Sequence, residues 1–181
     1  MRTDLSRFNN QWYQPGPLIS RVLWYFTGAA VLRSALPGNS HRRFWLRLFG
    51  AKVGKGVVIK PRVIIKYPWK LEIGDHAWIG EQVWIDNLGK VTIGSHSCLS
   101  QGAMLLCGNH DYTKIAFDLM VGDITLEDGV WIGARSTVCP GALCRSHSVL
   151  SVGSVLVGEM EAYSIYRGNP AVKIRERKME E

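Results

Sequence analysis

Five histidines occur among the 181 residues, and one of them, His110, sits where an otherwise regular pattern of the chain breaks. The surrounding stretch, L-C-G-N-H-D-Y-T-K-I-A-F-D-L-M-V-G-D over residues 106–123, combines that imidazole with aromatics and three aspartates. An imidazole titrates near neutrality, so it can take the proton of a hydroxyl and turn that oxygen into a nucleophile. Against an activated carbonyl the outcome is acyl transfer. Cys107, three residues earlier, offers a rival covalent route through a thiol; the plainer reading packs it at the base of the segment. His76, His96 and His147 each follow a repeated aliphatic position by three residues, which reads as exposed turn residues rather than a metal-binding ladder. His41 stands beside Arg42 and Arg43 with no partner visible in the sequence.

The pattern that breaks has a six-residue step. Its positions are Val53, Ile59 and Ile65, then Ile73, Ile79 and Ile85, then Ile93, Leu99 and Leu105, resuming at Leu126, Ile132, Val138, Cys144, Leu150 and Leu156. The steps from 65 to 73 and from 85 to 93 are eight residues long, so the early units repeat at twenty residues and the later ones at eighteen. A helix of about 3.6 residues per turn cannot hold a six-residue repeat on one face, whereas short strands joined by tight turns place every sixth side chain inside a triangular prism. Ser136, Ala142, Ser148 and Ser154, two positions before the core residue, fit close to the corners. Nineteen glycines against seven prolines agree with many turns. The fold expected is all-β, with stacked coils burying one continuous core.

Flat solenoid faces offer little to a substrate, so residues 106–123, where the rhythm fails, are expected as an extruded loop that walls a cleft. Counting by coils puts Asp86 twenty residues before Leu106, one coil below the corner from which the loop departs. There Asp86 and Asn87, with Asp111 beside the base, could bind acceptor hydroxyls. Alternatively Asp86 could orient His110 through its second ring nitrogen. The acceptor role is preferred.

The segments I-G-D-H-A-W-I-G-E-Q-V-W and W-I-G-A-R-S-T-V-C-P-G-A resemble the hexapeptide-repeat acyltransferases, a likeness covering most of residues 50–177. More narrowly, R-L-F-G-A-K-V-G, Y-P-W-K-L, the N-H-D loop and R-G-N-P-A-V-K-I-R-E-R are similar to the colanic acid biosynthesis O-acetyltransferases. The resemblance implies a left-handed parallel β-helix, a hand opposite to the usual crossover preference. It divides the chain into an N-terminal helical cap (1–50), a β-helix domain (51–166) with its extruded loop, and a short basic C-terminal tail (167–181). It implies acetyl-CoA as donor, a sugar hydroxyl of an exopolysaccharide precursor as acceptor, His110 as general base, direct transfer without metal, and a homotrimer with coenzyme A in a groove between subunits. Trp131 would line the thioester end of that groove, although Trp78 shares its phase in the repeat and both could simply cover the outside of a coil. Backbone amides near Gly133, Ala134 and Gly153 would hold the pantetheine, those near Gly133 and Ala134 also the oxyanion. Lys173, Arg175 and Arg177 would face the cofactor's phosphates, against the plainer reading of a solvated basic tail. Asn109 departs from the serine that similar proteins often carry before His-Asp. The same fold also hosts metal-dependent carbonic anhydrases, but their H-x4-H pair is missing from this sequence.

Composition limits the alternatives. A chain of this length is one domain, and 46% hydrophobic residues with a mean hydropathy of −0.01 exclude a disordered or fibrous protein. A net charge of +7 favours anionic partners such as phosphates, acidic glycans or an anionic membrane face; no nucleic acid is expected. The four cysteines have no C-x-x-C spacing and read as reduced; together with a polar N-terminus and the lack of a long apolar run they point to the cytoplasm. Residues 18–36 are expected as a helix that either caps the open end of the β-helix, the preferred reading, or lies peripherally on the inner membrane face. Two other functions compete: acetylation of an amino sugar or another small acceptor such as a free saccharide, and a non-catalytic trimeric β-helix scaffold.

Overall fold

The six-residue series decides which side chains turn inward, and the strands follow it. In the computed structural model, which describes residues 2–180, each of five coils contributes a short strand to each of three parallel sheets, and the last turn adds a strand to two of them. Face A stacks Lys52–Val53, Leu71–Ile73, Val91–Ile93, Ile124–Leu126, Leu143–Cys144 and Glu159–Met160. Face B stacks Val58–Ile59, Trp78–Ile79, Cys98–Leu99, Trp131–Ile132, Val149–Leu150 and Ser164–Gly168. Face C stacks Ile64–Ile65, Trp84–Asp86, Met104–Leu106, Thr137–Val138 and Val155–Leu156. The register keeps like with like: Ile59, Ile79, Leu99, Ile132, Leu150 and Tyr166 form one row across face B, and all are buried. The expected parallel β-helix is therefore the architecture observed.

Corners tighten the stack. Ser136, Ala142, Ser148 and Ser154 are buried there, and the Ser136 hydroxyl donates to the Ser151 carbonyl at 2.8 Å while accepting from the Ser154 amide at 3.2 Å. A Cβ on Gly133 would come within 2.6 Å of the Val152 nitrogen in the next coil, so that corner admits only glycine.

Two helices, α1 (Leu18–Leu32) and α2 (Ser40–Leu48), close the first coil. α1 stops short of the expected 36, and its Trp24 and Leu32 are buried together with Leu46 of α2. The lowest coil has no neighbour beneath, and side chains supply the missing partners. Trp24 donates its indole N–H to the Ile65 carbonyl (2.8 Å), Arg43 donates to the Val57 carbonyl (2.9 Å), Arg47 donates to the Val53 carbonyl (2.6 Å), and the Asn39 Oδ1 accepts from the Ile59 amide (2.9 Å). The bend between the helices is held from inside by Arg42, only 2% exposed, which donates to the carbonyls of Gly38, Ser34 and Leu36 at 2.6, 2.8 and 2.9 Å.

At the other end, most of the segment expected as a tail is ordered. Ala171–Glu176 folds back antiparallel on Ser164–Gly168 and extends face B, giving the departing chain a hydrogen-bonded edge rather than free solvation.

Arg42→Ala leaves three carbonyls without their charged donor in a site water does not reach. Urea denaturation is expected to show a loss of about 2–4 kcal/mol, the range for breaking a buried charge-assisted cluster. An undiminished midpoint would show that the bend does not depend on this arginine.

Candidate active site

His110 ends the strand Gly108–His110, which pairs antiparallel with Leu119–Val121 to form a hairpin leaving the corner between faces C and A. The hairpin base is anchored by backbone bonds: Cys107 N–H to the Asp86 carbonyl (3.2 Å) and Gly122 N–H to the Cys107 carbonyl (2.9 Å). At the tip, the Asp111 Oδ1 accepts from the Thr113 amide and hydroxyl at 3.1 and 2.6 Å, and Lys114 pairs with Asp118 at 3.0 Å. These contacts stiffen the turn that carries the imidazole.

The imidazole is oriented by Phe117. Its Nδ1 lies 2.9 Å from the Phe117 carbonyl, and because a carbonyl only accepts, Nδ1 is the donor; in the neutral imidazole Nε2 is then the nitrogen with the lone pair. The Phe117 ring stacks on the imidazole with centroids 4.4 Å apart and planes 10° from parallel. To present both groups, Phe117 takes a φ of 53°, a left-handed conformation that costs a bulky residue free energy and commonly marks functional sites. A second aromatic, Phe8, approaches to 5.7 Å from the N-terminal arm. That arm is tied down along its length by the Asp4 amide on the Ile115 carbonyl (3.0 Å), the Tyr13 hydroxyl on the Leu88 carbonyl (2.8 Å) and the Trp69 indole on the Pro15 carbonyl (3.1 Å). Sequence reasoning missed both phenylalanines. Phe117 was visible only as one aromatic of the loop, and the arm has no periodicity to follow.

The remaining candidates divide. Asp86 pairs in register with Leu106, directly beneath the departing loop, and its carboxylate is held by Lys66 at 2.8 Å. It does not orient His110, whose Nδ1 is taken. Asn87 must be withdrawn as an acceptor ligand: it is fully buried, and its amide accepts from the Tyr67 N–H (2.9 Å) and donates to the Tyr67 carbonyl (2.6 Å), replacing a missing ladder rung. Asp111 spends one oxygen on the turn and faces Lys114 with the other at 3.8 Å. Trp131 is 47% exposed on face B, and its indole donates to the Ser100 hydroxyl at 2.9 Å. Among the nominated amides, Gly133 N–H is used by the Leu150 carbonyl (2.7 Å) and Gly153 N–H by the Ala134 carbonyl (2.9 Å). Neither is a free donor. Ala134 N–H has no partner among the described residues and stays available. Lys173 is held by Glu161 and Glu176, each at 2.7 Å, and these bonds push its ammonium above the ordinary lysine range. Arg177 is anchored on the Gly129 and His147 carbonyls (3.1 and 3.0 Å), which leaves Arg175, exposed on its strand, as the cation open to an anion. Among the described residues no group of three or more His, Cys, Asp or Glu is placed to hold a metal ion; His76 and His96 stack at 5.3 Å in corner turns.

The stacked three-sheet coils with a single extruded loop define a parallel β-helix, the fold of the hexapeptide-repeat acetyltransferases. The chain belongs to the family of the colanic acid biosynthesis acetyltransferases, being 40% identical over 176 residues, 96% of this chain and 97% of the relative, to WcaF of Escherichia coli (strain K12). It superimposes on the hexapeptide-repeat acetyltransferase VCA0836 of Vibrio cholerae O1 biovar eltor, solved with acetyl coenzyme A, with a TM-score of 0.80 at 22% identity over 89% of this chain and 88% of that one. A galactoside acetyltransferase solved with coenzyme A matches with a TM-score of 0.77 at 22% identity, over 88% and 82% of the two chains. No protein-family model matches the chain.

Two outcomes check these assignments. Asn87→Ala is expected to lower stability by about 1–3 kcal/mol in urea denaturation, from the loss of buried backbone partners, while KM for an acceptor stays unchanged. Burial pushes the Cys107 thiol up to about 11, so at neutral pH the native protein should resist iodoacetamide at Cys107. Rapid modification of native Cys107, read by peptide mass spectrometry, would return the thiol to the list of nucleophiles.

Proposed function

We propose that the protein transfers acetyl from acetyl-CoA to a sugar hydroxyl of an exopolysaccharide precursor, with His110 as general base. The observation that carries this reading is the imidazole itself, set on a rigid hairpin with Nδ1 bonded to the Phe117 carbonyl and Nε2 free. A sugar hydroxyl donating to Nε2 loses its proton as its oxygen attacks the thioester carbonyl. The tetrahedral oxyanion collapses, the carbon–sulfur bond breaks, and the coenzyme A thiolate leaves and takes up the proton from the imidazolium. The Ala134 amide supports a role as a donor to the oxyanion or pantetheine. Asp86 and Asp111, on the side from which the loop departs, suit acceptor hydroxyls, and Arg175 suits a phosphate of the donor.

The site is read as shared between subunits. Within one protomer His110 stands at the corner between faces C and A, whereas Trp131 stands on face B. A groove that holds a thioester between them takes a second copy, and the repetition of that contact closes as a homotrimer. We read the enzyme as cytoplasmic, with residues 18–36 open to peripheral contact with the inner membrane face. No helix among the described residues is long and apolar enough to cross one.

The test follows thiol release from acetyl-CoA with nucleotide-sugar and oligosaccharide acceptors, for the wild type and His110→Ala. Acceptor-dependent release that falls about 10²–10⁴-fold in the variant is expected for loss of a general base. Undiminished release in His110→Ala would remove the histidine from the chemistry. Failure of the wild type to bind acetyl-CoA would replace the enzyme reading with a scaffold.

A further inference from the structure

The peripheral placement just proposed leaves open what surface is recognised and by which residues. α1 is apolar on two sides. Arg21, Trp24, Gly28 and Leu32 form the stripe turned to the first coil. Around the helix from it runs a second stripe, Leu18, Ile19, Val22, Tyr25 and Phe26, at the i, i+1, i+4, i+7, i+8 spacing of one continuous helical face. These side chains are 65, 74, 48, 75 and 68% exposed. In the same cap, Leu36, Phe44 and Leu48 are also exposed. A patch of this kind on a water-soluble domain marks a contact surface.

Charge identifies the partner. Residues 1–50 contain seven arginines and a single aspartate, so this segment carries +6 of the chain's +7. The other residues sum to only +1, so the chain has no acidic surplus of its own to set against the cap. The two helices and their bend, residues 18–50, hold five of these arginines and no acidic residue, so two such caps face to face would oppose +5 with +5. Arg33 is exposed beside the outer stripe, and the buried Nε of Arg21 has no hydrogen-bond partner. A cavity of about 540 Å³ runs between the outer stripe and face C, with Arg21, Arg33 and Lys66 on its walls, and reaches Asp86 at the catalytic corner.

We propose that α1 and the adjoining exposed residues of the cap dock the enzyme on an anionic phospholipid membrane. The helix lies in the headgroup plane, its outer apolar stripe enters the acyl boundary, and Arg33, with Arg21 at the cavity wall, takes lipid phosphates. The cavity under α1 then runs from the membrane side of the molecule to Asp86.

Co-sedimentation of the full chain with vesicles tests this. Phosphatidylcholine vesicles containing phosphatidylglycerol are expected to bind about tenfold or more tightly than phosphatidylcholine alone, with binding lost at high salt. The double variant Ile19→Glu, Phe26→Glu, and separately Arg33→Glu, should lose that binding while keeping the wild-type oligomeric mass and thiol release with a soluble acceptor. Met179→Glu, an exposed apolar residue at the opposite end of the chain, should bind as wild type. Equal binding to neutral and anionic vesicles, or none to either, would overturn the proposal. So would a fall in oligomeric mass in the double variant, because a second copy would then be what covers the stripe. Vesicle binding is read without turnover, so its outcome stands apart from that of the acetyl-transfer assay.

Discussion

The bottom coil of a parallel β-helix has backbone groups that point downward with nothing beneath them. Each such group left unpaired away from water costs about 1–3 kcal/mol, and the stack cannot relax to hide them because every coil is registered on the next. Here the solution is made of side chains: an indole, an asparagine amide and two guanidinium groups, from α1, α2 and the residue before α2, reach the three faces of the first coil. The buried Arg42 then fixes the bend that lets both helices reach at once. Everything above inherits this foundation, including the corner at which Asp86 lies beneath Leu106.

A regular coil has no place for a general base. Inward positions are dry and apolar, where an imidazole would be left without water or partner, and outward positions lie on flat faces that enclose nothing. Leaving the repeat at one corner removes both obstacles, and the antiparallel hairpin keeps the departure rigid. The local cost is concentrated at Phe117, held in a left-handed conformation so that its carbonyl meets Nδ1 while its ring covers the imidazole. Preorganisation of this kind sets the tautomer before any substrate arrives.

The inward rows were legible in the sequence because a six-residue step has one geometric solution, and the hairpin was legible because the step fails there. Asp86 could be placed below Leu106 by the twenty-residue period alone. What composition could not separate was a polar residue that faces a ligand from one that repairs the backbone. Asn87 looks like a ligand by type and is a buried rung for Tyr67; Gly133 looks like an amide donor and is there because the next coil leaves no room for a Cβ. Lys173 looked like a phosphate ligand, but Glu161, twelve residues earlier, and Glu176 already hold its ammonium. The nine-residue α2 was too short for periodicity to announce, and the contact of Phe8 with His110 spans a hundred residues with no repeat to carry the inference.

Of the two readings of residues 18–36, the cap is what the inner side of α1 forms, and the membrane reading is the one proposed for its exposed side. The inner stripe is committed to the first coil, so its apolar character is explained by burial of Trp24 and Leu32 and says nothing of any further partner. The outer stripe stays largely exposed and only rims the cavity beside the first coil, yet it is apolar and is accompanied by Arg21 and Arg33, which the carbonyls of the coil do not use. The cavity under α1 has the helix on one wall and Lys66 and Asp86 of the first two coils on the other, so the exposed side of the cap borders the same space as that corner while the registered coils beneath hold the corner fixed.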